Sequence, residues 1–164
     1  MHEQTQSRCN RYPHLSAVQK HGQLSKTRLA EIVNLSPTPC WARLTRLKSA
    51  GYIIGFHADI ALEKVVDFSQ VIVTVSLTHH RKADFDLFEA RIRGMDEVTE
   101  CVATGGGMDY VMQVYTRNLA AFQDLMETLL AAEIGIDRYT TYIATRRIKS
   151  IEPSVAKLIA RDGK

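Results

Sequence analysis

Two stretches of this 164-residue chain hold residue types at spacings that could do chemistry. One is "GGGMDY", Gly105 to Tyr110. A glycine-rich loop cradles phosphates when a Lys-Ser or Lys-Thr pair and a helix follow it; neither follows here, so a phosphate loop is excluded. What remains is a turn whose successive N–H groups suit a carboxylate and whose Asp109 suits an ammonium. The plainer reading is a flexible hairpin turn. Three glycines in a row still cost backbone entropy, a cost met where a ligand or another backbone must approach closely.

The other stretch is "SPTPCWARLTR", Ser36 to Arg46. Ser36 reads as a helix N-cap, and Pro37 fits the first helical position, where no N–H is needed. Pro39 is tolerated within the first turn, and Gly51 suits a left-handed stop, so the spacing predicts a helix over 37–50. Cys40, Leu44 and Leu47 form its apolar stripe. Ser36, Thr38, Pro39, Ala42, Arg43 and Arg46 are left at its start and on other faces. A helix start with hydroxyls and cations suits phosphates and base edges; the plainer alternative is a surface helix with solvated arginines. Trp41 reads as packing at the edge of the core or against the following strand rather than contacting a base.

Other candidates carry less. His79 and His80 beside Asp84 lack a third metal ligand nearby and read as a solvated pair. "TRRIK" reads as a solvated strand end. There is no Ser/His/Asp or Cys/His signature and no convincing carboxylate pair, so no catalytic residue, metal or cofactor is expected and the chain does not read as an enzyme.

The elements that position these stretches follow from periodicity. "HLSAVQKHG", after Pro13, and "SKTRLAEIV", capped by Ser25, precede the Pro37 helix across the tight turn "NLS". Helix, short turn and capped basic helix is the helix-turn-helix pattern. "GYIIGFHADI" reads as extended, a small wing or linking strand. The period then changes. "SQVIVTVSL" alternates as a strand, "DFDLFEARIRG" is helical with Phe85, Phe88 and Ile92 inward, and "EVTECVAT" and "YVMQVYT" form a hairpin around the glycines. "NLAAFQDLMETLLAAEIG" is an amphipathic helix burying Leu119, Phe122, Met126, Leu129 and Leu130, and "DRYTTYIATRRIKS" is a last strand. The order βαββαβ is the ferredoxin-like unit. The fold class is therefore α+β, with domains at 1–58 (helix-turn-helix), 59–66 (linker), 67–150 (ferredoxin-like) and a tail at 151–164. One sheet face of such a unit needs cover, and Val71, Val73, Val75, Tyr139 and Ile143 supply apolar candidates, which predicts at least a homodimer.

Charge divides the same way. Residues 1–58 hold 8 Lys+Arg and 2 Asp+Glu, a net +6, whereas the remainder holds 13 and 16, a net −3, within a total of +3. A basic N-terminal third suggests a polyanion-binding module. No run approaches a transmembrane helix, and the N-terminus has no apolar signal core. Cys9, Cys40 and Cys101 are odd in number and scattered, which fits a cytoplasmic protein without disulfides.

These stretches carry a family resemblance. "LAEIVNLSPTPCWARLTRLKSAGYIIGFHADI" resembles the DNA-binding half of the Lrp/AsnC, leucine-responsive or "feast/famine", transcription regulators. "CVATGGGMDYVMQVYT" and "IGIDRYTTYIATRRIK" resemble its effector-binding domain, so the resemblance spans about residues 14–150. It implies a recognition helix at Pro37, binding of double-stranded DNA, and homodimers assembling into tetramers or octamers. It also implies amino acids or their derivatives as effectors, held between dimers by Gly105, Gly107, Asp109 and Tyr110, with Thr141, Tyr142 and Ile143 opposite. The "GGGMDY…IGIDRY" variant is most similar to members linked to ectoine breakdown. One departure stands out. The family's first helix usually opens with an Asp-x-x-Asp-x-x-Ile-Leu pattern, whereas Arg11 and His14 replace an Asp and an apolar residue here. Pro13 is expected to delay the helix, which puts the packing of helix 1 in doubt.

The expected function is a ligand-responsive transcription regulator. Two rivals are an α+β metabolite-binding module or enzyme with an incidental basic domain, and an architectural DNA-binding protein with no effector.

Overall fold

The computed structural model describes residues 12–159. In chain order they form helices α1 (Tyr12–His21), α2 (Lys26–Ile32) and α3 (Pro37–Ser49), then strand β1 (Ser69–Leu77), helix α4 (Lys82–Arg93), strands β2 (Val98–Ala103) and β3 (Tyr110–Thr116), helix α5 (Leu119–Ala131), strand β4 (Ile136–Ile143) and helix α6 (Val155–Ile159). They fall into two compact units: one up to Ile60 together with Ser150 onward, the other Ala61–Lys149.

In the first unit, Ser25 caps α2, its hydroxyl accepting the Arg28 N–H at 3.2 Å. Asn34, in the turn to α3, takes the left-handed conformation (φ 56°) that Asn tolerates. Gly51 (φ 72°) follows the α3 C-cap, as expected. Ala17, Val18, Leu29, Ala30, Cys40 and Leu44 form the core, with Trp41, Ile53 and Phe56 packed against it. Trp41 thus sits at the core edge. Helix α1 does pack, contrary to the doubt raised by its unusual sequence: Pro13 lies in its first described turn, and His14 is 1% exposed. Arg11 and Cys9 lie outside the described residues. The tail belongs to this unit. The Gln19 side-chain amide donates to the Pro153 carbonyl (2.9 Å) and accepts the Val155 N–H (3.0 Å).

The extended "GYIIGFHADI" forms no strand. Ile53 and Phe56 pack inward while Ile54 is left almost fully exposed.

The second unit is an antiparallel sheet of order β2-β3-β1-β4. Helices α4 and α5 cover one face, burying Phe88, Ile92, Phe122, Met126 and Leu129 against Val71, Val73, Val75, Met112 and Val114. Asn118 caps α5 by accepting the Ala121 N–H at 2.8 Å. Leu119 and Leu130 stay exposed, contrary to expectation, because the buried stripe of α5 runs through Phe122, Met126 and Leu129 only.

The open face is also not the expected one. Val71, Val73 and Val75 point under the helices, and cross-strand pairing puts Ile143 and Tyr139 on that same side at the β4 edge. The uncovered face instead carries Ile72, Thr74, Val102, Val111, Tyr115 and Tyr142, as the pairs Ile72–Tyr142, Ile72–Gln113 and Val102–Val111 require. "TRRIK" lies beyond the end of β4. No described helix is long and apolar enough to cross a membrane.

Candidate DNA-binding surface and effector turn

Helix α3 begins with Ser36 in extended backbone (φ −73°, ψ 152°), as an N-cap requires, yet its hydroxyl caps nothing. A cap bonds the second or third N–H of the helix; the third position is Pro39, which has none, so only the Thr38 N–H is left for it. The Ser36 side chain is left exposed at the helix start. Thr38, Pro39, Ala42 and Arg46 are exposed beside it, whereas Cys40, Leu44 and Leu47 are buried. Arg43 is half-buried, and its charge bears on both His14 and Cys40. All six residues expected at a DNA surface thus share the start and outer side of one helix. Sequence reasoning missed Lys26 on α2, whose ammonium lies 4.9 Å over the Trp41 ring, with Lys48 at 5.9 Å. The cue would have been α2 beginning at Lys26, just across the turn.

The β2–β3 turn lies at the end of the sheet where β1 finishes. Gly105, Gly106 and Gly107 are exposed, and Gly106 needs to be glycine for its backbone (φ 126°). A Cβ on Gly105 or Gly107 would meet nothing within 4 Å and their backbones are unstrained, so nothing within the chain requires either to be glycine. Asp109 is held from several sides. Its carboxylate accepts the Leu77 N–H at 2.8 Å and lies 3.1 and 3.2 Å from His80 Nε2, and its own N–H donates to the Val75 carbonyl at 2.9 Å. His80 pairs with Asp109, and no group of three potential metal ligands occurs among the described residues.

Tyr110 is a core residue. It is 3% exposed, stacks on Phe88 (centroids 4.5 Å apart), and donates its hydroxyl to Glu89 Oε1 at 3.1 Å. Burial, then Glu89, raise its pKa to about 12. Only its backbone belongs to the turn. Odd and even positions of β3 face opposite sides of the sheet, and Tyr110 takes the helix side with Met112 and Val114.

Thr141, Tyr142 and Ile143 are not brought to the turn within one chain. β4 starts at the turn's end of the sheet, where Tyr139 pairs with Val75 and Arg138 donates to the Gly107 carbonyl at 3.4 Å. Thr141–Ile143 lie further along, roughly 7–13 Å beyond Tyr139 at strand rise. Tyr142 also faces away from the helices, opposite to Thr141 and Ile143. Arg138 is the neighbour that sequence reasoning missed; only the strand register reveals it. An open cavity of about 810 Å³ lies at the other end of the sheet, lined by Leu62, Val66, Phe68, Tyr115, Arg117 and Ala121.

Residues 15–54 match a winged helix-turn-helix DNA-binding family, and residues 70–153 match the Lrp/AsnC ligand binding domain. The chain is 38% identical over 142 residues to the transcriptional regulatory protein DoeX of Halomonas elongata, covering 87% of this chain and 90% of that one. It is 31% identical to the leucine-responsive regulatory protein of Haemophilus influenzae, covering 87% and 86%. Its structure is similar to a Neisseria meningitidis transcriptional regulator solved with L-methionine (TM-score 0.78, 29% identity, covering 87% and 92%). It is also similar to an AsnC family regulator from Agrobacterium tumefaciens (TM-score 0.82, 25% identity, covering 92% and 97%). With both halves of the chain matched and α3 presented as it is, the protein belongs to the Lrp/AsnC family of DNA-binding transcription regulators.

Proposed function

We propose that this regulator reads DNA with α3 and changes its assembly or DNA affinity when an amino acid or amino-acid derivative binds at the Gly105–Gly107 turn. The observation that carries the effector reading is the turn itself: Gly105 and Gly107 have open space around them and no conformational need to be glycine. Such positions leave backbone N–H groups open to a carboxylate. Asp109, with lone pairs beyond those facing Leu77 and His80, takes the ammonium. The L-methionine held by the Neisseria relative supports this ligand class.

On this reading Thr141, Tyr142 and Ile143 reach the ligand from another copy, because one chain keeps them away from its own turn. The protein is a homo-oligomer, at least a dimer, whose β4 edge and open sheet face are covered by neighbouring copies. Ser36, Thr38, Pro39, Ala42, Arg43 and Arg46 contact double-stranded DNA. The protein works in the cytoplasm, without enzymatic activity or cofactor.

Thermal-shift screening of the full chain against amino acids and their derivatives tests the effector, since a ligand that binds only the folded state raises the melting temperature. Stabilisation by one such compound, together with a changed DNA affinity, is expected. DNA binding with no response to any of them would favour an architectural role.

A further inference from the structure

His14 is the one described residue whose buried side-chain nitrogen atoms have no hydrogen-bond partner, and both Nδ1 and Nε2 are in that position. Buried polar groups are nearly always paired, so such an exception calls for an explanation. It is not a surface residue turned inward by chance. His14 is 1% exposed and lies one helical turn before Ala17 and Val18, which belong to the core that joins α1 to α2 and α3.

The surroundings oppose a charge on this ring. From α2, the core receives Leu29 and Ala30, while Lys26, Arg28 and Glu31 are exposed and Arg28 pairs with Glu31. From α3 come Cys40, a thiol pushed above its usual range by burial, and the guanidinium of Arg43. On α1 itself Lys20 and His21 are exposed, and on α6 so is Lys157. The described carboxylates of this unit, Glu31, Asp59 and Glu152, are all exposed. A protonated His14 would therefore be a buried cation beside the charge of Arg43, with no buried carboxylate among the described residues of this unit to answer it.

We infer that His14 is an acid switch in the DNA-binding unit: neutral, it completes the core that seats α3; protonated, it forces that core open and releases DNA. The direction follows from linkage. Burial first, and then Arg43, hold the His14 pKa below the ordinary 6.5. Between the lowered folded value and 6.5 the unfolded unit binds one proton more than the folded one, so stability rises with pH through that window. The stability is fully present above 6.5 and is lost as pH falls below it. The second unit has no such buried histidine: His79 and His80 are exposed. Acid therefore acts on DNA binding before it acts on the ligand-binding unit.

Trp41, the sole tryptophan, lies on α3 against this core, so its emission reports the unit alone. Urea unfolding of the full chain followed by Trp41 emission, between about pH 5 and 8, reads the switch. The folding equilibrium constant should fall as pH drops below 6.5, by up to about tenfold per pH unit for one proton. Wild-type binding to a labelled random-sequence duplex at fixed ionic strength should fall with it. His14→Leu should flatten both curves over the same range. Curves for wild type and His14→Leu that run parallel in either measurement would overturn the inference. Should His14→Leu not fold, the wild-type ring resonances decide. His14 should stay neutral until Trp41 reports opening. A His14 ring that titrates near 6.5 within a native spectrum would equally overturn it.

Discussion

The carboxylate of Asp109 accepts the backbone N–H of Leu77 at 2.8 Å, tying the end of the glycine turn to the last residue of β1. A residue whose position suggests a ligand contact is thus also a structural acceptor for a partly buried N–H. Replacing it tests two roles at once, and the substituent chosen separates them.

Asp109→Ala should lose both roles. It leaves the Leu77 N–H without its partner, at about 1–3 kcal/mol of stability in the second unit, and it removes the charge offered to the effector. Asp109→Asn keeps an oxygen acceptor for Leu77 and removes only the charge. We expect near-wild-type unfolding for Asn, with the effector response lost, by denaturant melts and calorimetry run on the same samples. Full effector binding by the Asn variant would make Asp109 a turn residue alone.

Arg46 and Arg43 differ in exposure, and their variants should differ too. Arg46 is exposed on α3, so Arg46→Ala should leave stability unchanged. It should weaken specific DNA binding by about 1–3 kcal/mol if the side chain reads a base, or uniformly across sequences with a shallower salt slope if it holds phosphate. Arg43 is half-buried with its charge felt at His14, so Arg43→Ala should also ease the acid sensitivity of the unit. Fluorescence anisotropy across salt and pH distinguishes the two. Unchanged affinity in both variants would take α3 out of the DNA interface.

Much of this architecture was legible before any coordinates. Alternation in "SQVIVTVSL", the cap at Ser25 and the stop at Gly51 each depend on neighbours within one turn or strand, and sequence holds that information. Which strand face meets the helices is different. It follows from register and from α4 and α5, which turn the Val71 series to the helix side and the Tyr110 hydroxyl to Glu89. The same holds for the site. The glycines announce a turn by composition alone, while Arg138 comes near it only through the β1–β4 register. His14 stood out as a departure from a pattern, but its lack of any partner is a three-dimensional fact.

The open sheet face gives a test of assembly. Ile72 lies at its centre, paired with Gln113 on one side and Tyr142 on the other. Ile72→Glu puts a charge on a face expected to be covered by another copy, without touching the core under the helices. Light scattering should show a reduced mass at micromolar concentration, and circular dichroism should show an intact sheet. A wild-type protein of monomeric mass would sink this assignment.

Tyr110→Phe separates a core role from an effector role by pH. The Tyr110 hydroxyl donates to Glu89 in a buried setting, which raises its pKa to about 12. Phe keeps the ring against Phe88 and loses only that bond, so at neutral pH the variant should be less stable by about 0.5–1.5 kcal/mol. Alkali reverses the comparison. The folded state keeps the Tyr110 proton above the ordinary tyrosine value near 10, where the unfolded chain gives it up. The wild-type advantage is therefore complete below about pH 10 and falls as pH rises towards 12, at up to about 1.4 kcal/mol per pH unit. Groups common to both proteins cancel in the difference. Denaturant melts of the pair from neutral pH into alkali should show the gap closing and then changing sign, with effector binding at neutral pH equal in both. A constant gap would show that Tyr110 ionises as freely folded as unfolded. Loss of effector binding in the Phe variant would return its hydroxyl to the ligand site.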